Sequence, residues 1–529
     1  MTQEGACRRR RRAPVLAMLL LASLLAALAC RGERGAPVTP ARPVILVGID
    51  GAEWSVIREL WAKGRLPAMR ALAERGTSGT LRTAYAASPV IWTTIATGRL
   101  PRAHGITGFV APTPQGDVPV SSTARRVPAL WNMASTAGRR VAVLSWWASW
   151  PAEPVRGVVL SDRALMGLPE GVSPPELGAR VAAFEQRARA RPGDFGGNAA
   201  SAHRDEVTAE AAVDLADEGY DLMLVYFRSV DIASHLAWRH FRPAGFGPPD
   251  PALAGEVPRA YEAVDAAIGR LTAAAPEANF LVVSDHGFHR LRREQLRVTL
   301  PFDRVLARLG YLRRDAEGID WAATRVYVWA SHSTSPQQKL RFALAGREPG
   351  GTVLPGAREE LARSLERDLA RVTWADGSPA FRLRQPRPAE ARDGVDLVAV
   401  VRSEGAGRRL LVDGEPWDGV VEAVSRLSGS HDLHTHGVIL AAGPDVVRGA
   451  KVEGIHIHDV APTVLFALGL PVAEDFAGRA WVELFGSELR ERQPLRKIRT
   501  WGEPSSARAR SSTVDEDLVR ELRSLGYLQ

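Results

Sequence analysis

The sequence has very little cysteine and very little lysine. Its 529 residues include two cysteines, Cys7 and Cys30, so a disulfide scaffold and a cysteine metal site are excluded beyond residue 30. Lysine occurs four times, and arginine therefore carries most of the positive charge. The net charge of +8 is not gathered into a basic stripe interleaved with aromatic residues, so the sequence predicts no nucleic-acid partner.

The composition also lacks the biases of non-globular proteins. Hydrophobic residues make up 45% of the chain and charged residues 24%, which is close to the globular average. A disordered chain, a collagen and a multi-span membrane protein are thereby excluded. The length is sufficient for two to four structural units and a large core.

The first 30 residues have the pattern of an export signal. Five arginines, Arg8 to Arg12, precede the uncharged apolar stretch Ala13 to Ala29. The stretch is short for a transmembrane helix, although an uncleaved anchor is the alternative. Ala27-Leu28-Ala29 fits ordinary signal peptidase, whereas Leu28-Ala29-Cys30 resembles a bacterial lipobox.

We favour the lipobox because the cysteine lies directly at the cut, and Cys30 would then carry a lipid. The predicted protein is exported and lipid-anchored to a bacterial membrane, on the periplasmic or cell-surface side. Removal of residues 1–29 takes away five arginines and one glutamate, so the mature charge is 8 − 4 = +4. Residues 30–42 are rich in Gly, Pro and Arg and are interpreted as a tether.

Apolar runs separated by helical patterns predict an α/β fold with a mainly parallel sheet. The predicted strands are Val44–Ile49, Val141–Ser145, Leu222–Phe227, Phe280–Val283 and Val438–Ala441. The strand–helix alternation is interrupted between residues 287 and 430, which predicts an inserted cap region. The predicted organisation is a signal peptide (1–29), a tether (30–42), a core in two parts (43–286 and 431–483), the cap (287–430) and a charged C-terminal tail (484–529).

Acidic and histidine residues follow three of the predicted strands. Asp50 follows the first, Asp231 and His235 follow the third, and Asp285-His286 follow the fourth. Ligands bind at the carboxyl ends of strands in open α/β sheets, so these side chains are expected at one edge. A single aspartate after a strand is often only a helix N-cap, but the whole set indicates a metal site. Mixed Asp/His ligation suits zinc, and also manganese or iron.

A hydroxyl at the start of a predicted helix is a candidate nucleophile. Ser88-Pro89 opens a segment with helical spacing, and proline favours the first turn. A helix N-terminus stabilises an alkoxide or a bound phosphate. The alternative is that Ser88 only caps the helix.

Together these residues resemble the alkaline phosphatase superfamily, and most closely its type I phosphodiesterase/nucleotide pyrophosphatase branch. The resemblance covers about residues 43–482. The motifs that carry it are Gly48-Ile49-Asp50-Gly51, Ser88-Pro89, Pro101 to Ile106, Asp231 with His235, Asp285-His286-Gly287, Gly429-Ser430-His431 and Asp459 to Leu465. The resemblance implies a sandwich of helices around the sheet, with an inserted cap region.

The resemblance also implies two divalent metal ions and a small phosphate-ester substrate. One metal would be held by Asp50, Ser88, Asp285 and His286, and the other by Asp231, His235 and a late histidine. His431 fits the family pattern for the late ligand, with His434 and His436 as nearby rivals.

The expected function is hydrolysis of phosphate mono- or diesters through a phosphoserine formed on Ser88. The alternatives are a phosphotransferase of the same superfamily, of the phosphoglycerate mutase or head-group transferase type, and an inactive surface-binding lipoprotein. The branch usually has threonine as nucleophile, and its nucleotide pyrophosphatases place an asparagine where this chain has Thr107-Gly108-Phe109. The preference between monoesters and diesters is therefore left open.

Overall fold

The computed structural model describes residues 41–113, 116–191, 199–315, 318–329, 335–403, 409–503, 509–525 and 527. The predicted signal sequence, its cleavage points and Cys30 lie outside these residues, and so does most of the predicted tether. Within the described residues, no helix has both the length and the apolar character needed to span a bilayer.

A nine-stranded sheet forms the centre of the fold, in the order β9-β2-β8-β7-β1-β6-β3-β4-β5. The strands are β1 (Val44–Ile49), β2 (Thr77–Leu81), β3 (Val141–Leu144), β4 (Gly157–Leu160), β5 (Val172–Ser173), β6 (Leu222–Phe227), β7 (Asn279–Val283), β8 (Gly437–Ala442) and β9 (Ala450–Val452). The five adjacent strands β7, β1, β6, β3 and β4 are parallel to one another. The predicted α/β class with a mainly parallel sheet is confirmed.

Helices cover both faces of this sheet because its strands are apolar on both sides. Alternate residues of β1 point to opposite faces, so Val44 and Leu46 join one buried cluster while Ile45, Val47 and Ile49 join another. The helices are α1 (Trp54–Ala62), α2 (Pro67–Arg75), α3 (Ser88–Thr97), α4 (Pro101–His104), α5 (Leu130–Thr136), α6 (Leu177–Ala190), α7 (Ala199–Ala216), α8 (Ser229–Phe241), α9 (Glu256–Ala274), α10 (Phe302–Arg308), α11 (Arg358–Ala370), α12 (Pro388–Arg392), α13 (Val460–Ala467), α14 (Ser487–Arg492) and α15 (Asp515–Ser524).

Between β7 and β8 the chain leaves the sheet and forms smaller sheets with an apolar cluster of their own. A long antiparallel strand pair, His289–Thr299 with Ala423–Ser430, leads out of the main sheet and back to it. A four-stranded sheet contains Val326–Val328, Gln337–Phe342, Leu397–Val401 and Phe381–Arg384. The three-stranded sheet contains Val372–Trp374, Leu410–Val412 and Glu415–Trp417. This region also contains the strand pair Arg314–Asp315 with Gly318–Ile319. Two further strand pairs of the described chain lie outside it: Val110–Thr113 with Gly116–Pro119, and Val472–Ala473 with Lys497–Ile498.

Candidate active site

The first group of candidate ligands lies at the carboxyl ends of β1 and β7. These strands are parallel neighbours in which Gly48 pairs with Val283, and Asp50 and Asp285 each follow two residues later. Asp50, Asp285 and His286 are buried, and their ligand atoms lie within 4.8 Å of one another. We call these three residues the first cluster.

His286 lies between the two carboxylates of the first cluster. Its Nε2 is 3.3 Å from Asp50 Oδ1 and 3.2 Å from Asp285 Oδ2. Its Nδ1 donates to the Gly287 carbonyl at 3.0 Å, which fixes the ring with Nε2 toward the carboxylates.

The second cluster consists of Asp231, His235 and His431, whose ligand atoms also lie within 4.8 Å of one another. Asp231 and His235 are four residues apart on α8 and therefore share one helix face. His235 Nδ1 donates to the Gly429 carbonyl at 3.0 Å, which leaves its Nε2 toward Asp231. The rings of His286 and His431 stack with centroids 3.5 Å apart, so the two clusters are contiguous.

The structure also distinguishes among the three late histidines. His431 joins Asp231 and His235, whereas His434 is exposed on the following loop. His436 is partly buried but is not part of either cluster found among the described residues. Among the described residues, the geometry thus brings His431, and neither rival, to the other candidate ligands.

The donor atoms and the charge of the two clusters fit divalent cations. Among the described residues, the buried atoms Asp285 Oδ2, Asp231 Oδ1, His235 Nε2 and His431 Nδ1 have no hydrogen-bond partner, as expected of ligand atoms, and His436 Nδ1 has none either. Burial and the charge of Asp50 raise the pKa of Asp285 well above its usual value. Burial alone would lower the pKa of His286, but Asp285 and Asp50 raise it to about 10. The first cluster therefore favours positive charge between its carboxylates.

Ser88 is the first residue of α3 and lies beside the first cluster. Its Oγ is 3.4 Å from His286 Nε2 and 3.5 Å from Asp50 Oδ1, and the residue is 1% exposed. Pro89 occupies the first turn of α3, as the sequence predicts. The hydroxyl thus lies at the positive end of a helix and within reach of the ligand atoms.

Two aromatic residues that the sequence analysis did not identify hold Asp50. The Tyr226 hydroxyl and the Trp92 Nε1 both donate to Asp50 Oδ2, the latter at 3.3 Å. Trp92 fits against β1 only because residue 48 is glycine, since a Cβ there would lie 2.6 Å from its ring. A glycine within an apolar strand was the signal for this close approach.

The C-terminal segment also reaches the site, which the sequence analysis did not anticipate. The Tyr527 hydroxyl donates to Asp231 Oδ2. Its ring stacks on Phe109, with centroids 4.8 Å apart, and lies edge-on to His235 at 5.1 Å. A residue near the end of the predicted charged tail therefore contacts the second cluster.

Comparison with known families adds the decisive observation. Residues 44–386, more than half of the chain, match the family model described as type I phosphodiesterase/nucleotide pyrophosphatase. The chain belongs to this family. The matched region contains six of the seven candidate site residues, and His431 and Tyr527 lie beyond it.

Solved structures give more distant similarities. Human ectonucleotide pyrophosphatase/phosphodiesterase 5 is 16% identical, with 84% of this chain and all of that chain covered and a TM-score of 0.42. The inactive murine protein in complex with AMP is 18% identical, with the same coverage and TM-score. Phosphonoacetate hydrolase from Sinorhizobium meliloti 1021 is 16% identical, with 81% of this chain and 95% of that chain covered and a TM-score of 0.41. No curated protein matches the sequence significantly.

As a member of the type I phosphodiesterase/nucleotide pyrophosphatase family, the chain is a phosphoester hydrolase. Its two candidate metal clusters, formed by Asp/His residues, lie at the carboxyl edge of the sheet, where ligands of α/β proteins bind.

Proposed function

We propose that this protein hydrolyses phosphate mono- or diesters of small molecules in a metal-dependent reaction that passes through a phosphoserine. The observation that carries the proposal is the position of Ser88. Its hydroxyl lies at a helix N-terminus and within 3.5 Å of atoms from Asp50 and His286.

Two divalent cations would be held by the side chains assembled at the sheet edge. Asp50, Ser88, Asp285 and His286 would bind one, and Asp231, His235 and His431 the other. The oxygen and imidazole donors suit zinc, with manganese or iron as alternatives. When bound, the cations supply the positive charge that lowers the pKa of the Ser88 hydroxyl and offsets charge on the phosphoryl group.

The residues of the chain prepare the nucleophile. Deprotonated Ser88 attacks phosphorus, its Oγ–P bond forms and the bond to the leaving oxygen breaks. The leaving group departs as an alcohol after taking up a proton, which balances the proton lost by Ser88. The N-terminus of α3 favours negative charge at this oxygen. Tyr226 and Trp92 donate to Asp50 and so hold its carboxylate facing Ser88. Water then attacks phosphorus, so that its oxygen bonds to phosphorus as the Oγ–P bond breaks. Phosphate, or a phosphate monoester from a diester, is released, and a proton from the water restores the Ser88 hydroxyl.

Exchange of the nucleophile tests the proposal. Ser88→Ala should reduce turnover of 4-nitrophenyl phosphate and bis(4-nitrophenyl) phosphate, with zinc or manganese, by about a thousandfold or more. Ser88→Thr keeps a hydroxyl at the same place and should retain turnover. Thermal melting of each variant checks the fold.

Undiminished turnover by Ser88→Ala would contradict the proposal. Phosphate release in the absence of an acceptor argues against a transferase, and a metal-loaded wild type without turnover on either ester indicates a non-catalytic binding protein. The ratio of the two rates measures the preference between monoesters and diesters.

We further propose that the protein is exported and tethered to a bacterial membrane through a lipid on Cys30. The proposal rests on the arginine-rich start, the apolar stretch and the cysteine that ends it.

A further inference from the structure

A cavity lies beside the first cluster and beneath α15. Its lining includes Tyr226, Arg204, Arg228 and Glu521. Tyr226 also donates its hydroxyl to Asp50, so one tyrosine side chain separates the cavity from the candidate ligands.

Two arginines in the cavity share one carboxylate. Arg228 Nη2 donates to Glu521 Oε1 at 3.0 Å, and Arg204 Nη1 is 3.9 Å from the same oxygen. Burial alone would raise the pKa of Glu521, but the charges of Arg228 and Arg204 lower it. Burial and the charge of Arg228 lower the pKa of Arg204. Both guanidinium groups thus lie near one oxygen of Glu521, while Asp205 also acts electrostatically on both arginines.

The other carboxylates of the cavity are engaged elsewhere. Asp205 accepts hydrogen bonds from the backbone amides of Arg228 and Ser229, at 2.8 to 3.1 Å. Asp162 accepts from backbone amides that include that of Ala148, at 3.1 Å. Among the described residues, Glu521 is the cavity carboxylate within ion-pair distance of both Arg204 and Arg228, and Asp205 and Asp162 act on Arg204 at longer range.

Glu521 belongs to the C-terminal element and not to the body that carries the arginines. It lies on α15, beyond the family-matched residues 44–386, whereas Arg204 and Arg228 lie within them. Tyr527, just after α15, donates to Asp231. One element thus places a carboxylate on the arginine pair and a phenol on the second cluster.

We propose that Arg204 and Arg228 form a subsite for a second oxyanion group of the substrate, a phosphate or a carboxylate, and that Glu521 occupies this subsite in the present structure. Paired guanidinium groups bind both kinds of oxyanion. The inference deepens the proposed function and rests on it, because it assigns two anionic groups to the substrate. When the oxyanion group of the substrate displaces Glu521, α15 moves, and Tyr527, which follows α15, moves away from Asp231.

Anion binding to the full-length, metal-free protein tests the subsite without turnover. Calorimetry with inorganic phosphate and, separately, acetate measures the dissociation constant in the presence of EDTA. Glu521→Gln removes a competitor tethered to the same chain and should tighten binding of at least one probe by about tenfold or more. The probe that gains more identifies the kind of oxyanion.

Asp517→Asn is the matched control, because Asp517 lies on the same helix with its side chain 71% exposed and pairs with Arg520. It should bind both probes as the wild type does. The double variant Glu521→Gln/Arg204→Gln should lose the gain. Equal affinity of Glu521→Gln and wild type for both probes, or an equal gain in Asp517→Asn, would overturn the proposal.

Limited trypsin digestion provides a second measurement that needs no variant. Whichever of phosphate and acetate binds more tightly should accelerate cleavage after Arg520 in the wild type, compared with chloride at equal ionic strength, because displaced α15 is more accessible. Unchanged cleavage would contradict displacement. A negative result in these binding tests would not affect the ester hydrolysis attributed to Ser88. Absence of ester hydrolysis would likewise not affect the binding tests, which need no turnover. The two proposals can therefore fail independently.

Discussion

His104 is a buried residue whose ring nitrogens are both engaged in the neutral form. The Ile106 amide donates to Nδ1 at 3.2 Å, so Nε2 carries the proton and donates to Thr94 Oγ1 at 3.1 Å. A second proton on Nδ1 would face the amide proton of Ile106. Burial and the charges of Arg125 and His458 lower the pKa of His104 to about 3.

This environment makes stability depend on pH below neutrality. Because the pKa of the folded state is depressed below the usual 6.5, the unfolded state binds more protons and stability is lost as pH falls below 6.5. Proton binding to His104 in the unfolded state should lower the free energy of unfolding by about 2 kcal/mol at pH 5 relative to pH 8. Urea unfolding at pH 5 and pH 8 should show a smaller fall in the free energy of unfolding for His104→Gln than for the wild type.

His434→Gln is the matched control, since His434 is exposed and its replacement should leave the loss as in the wild type. An equal loss in wild type and His104→Gln would contradict the assignment.

At the scale of elements, the loop after strand Ala423–Ser430 decides which histidine completes the second cluster. His431 is the first residue after the strand, and it contacts the rings of His235 and His286. His431→Ala should therefore reduce the bound metal from two ions per chain to one, whereas His434→Ala and His436→Ala should keep both. Elemental analysis after gel filtration measures the ratio, and metal loss in His434→Ala with retention in His431→Ala would reverse the assignment.

The strands that consist of continuous apolar runs could be predicted from the sequence. Asp50, Asp231 and Asp285 could then be identified as candidate ligands because they follow the carboxyl ends of these strands. Strands such as β2 could not, because Thr77–Leu81 is only partly buried and lacks an apolar run. β8 is antiparallel to β7, and this direction could not be predicted either. A continuous apolar run indicates that a strand is buried, but it does not indicate whether the strand is parallel or antiparallel to its neighbour. The orientation of β8 depends on where the chain returns to the main sheet after the smaller sheets.

The contacts of Tyr226 and Tyr527 with the clusters could not be predicted from the sequence, for a different reason. Tyr226 contacts Asp50 because β6 pairs with β1 in one register, with Gly48 opposite Tyr226. Tyr527 reaches Asp231 only because α15 packs on the body through Val519, Leu522 and ion pairs. Register and long-range docking are properties of the folded chain and not of a local pattern.

At the scale of the whole molecule, the proposed lipid on Cys30 determines where the enzyme resides. Cys30→Ala should move an exported protein from the membrane fraction to the soluble fraction, since a lipid chain contributes about 0.8 kcal/mol per buried methylene. Cys7→Ala is the matched control and should stay with the membrane, because Cys7 lies in the predicted signal peptide. Fractionation and immunoblotting measure both.

A Cys30→Ala protein that remains in the membrane would indicate an uncleaved anchor. A soluble wild type would indicate ordinary signal cleavage.

The positions of the cluster residues along the chain also set the order of events during biosynthesis. Asp50 follows the first strand of the sheet, whereas His431 follows the entire excursion between β7 and β8. Closing so long a loop is slow compared with forming local helices. A nascent chain that has emerged as far as His286 carries the first cluster but lacks His431, the last candidate ligand of the second. If the chain is exported as proposed, assembly of both candidate clusters therefore waits until the polypeptide has crossed the membrane as far as His431.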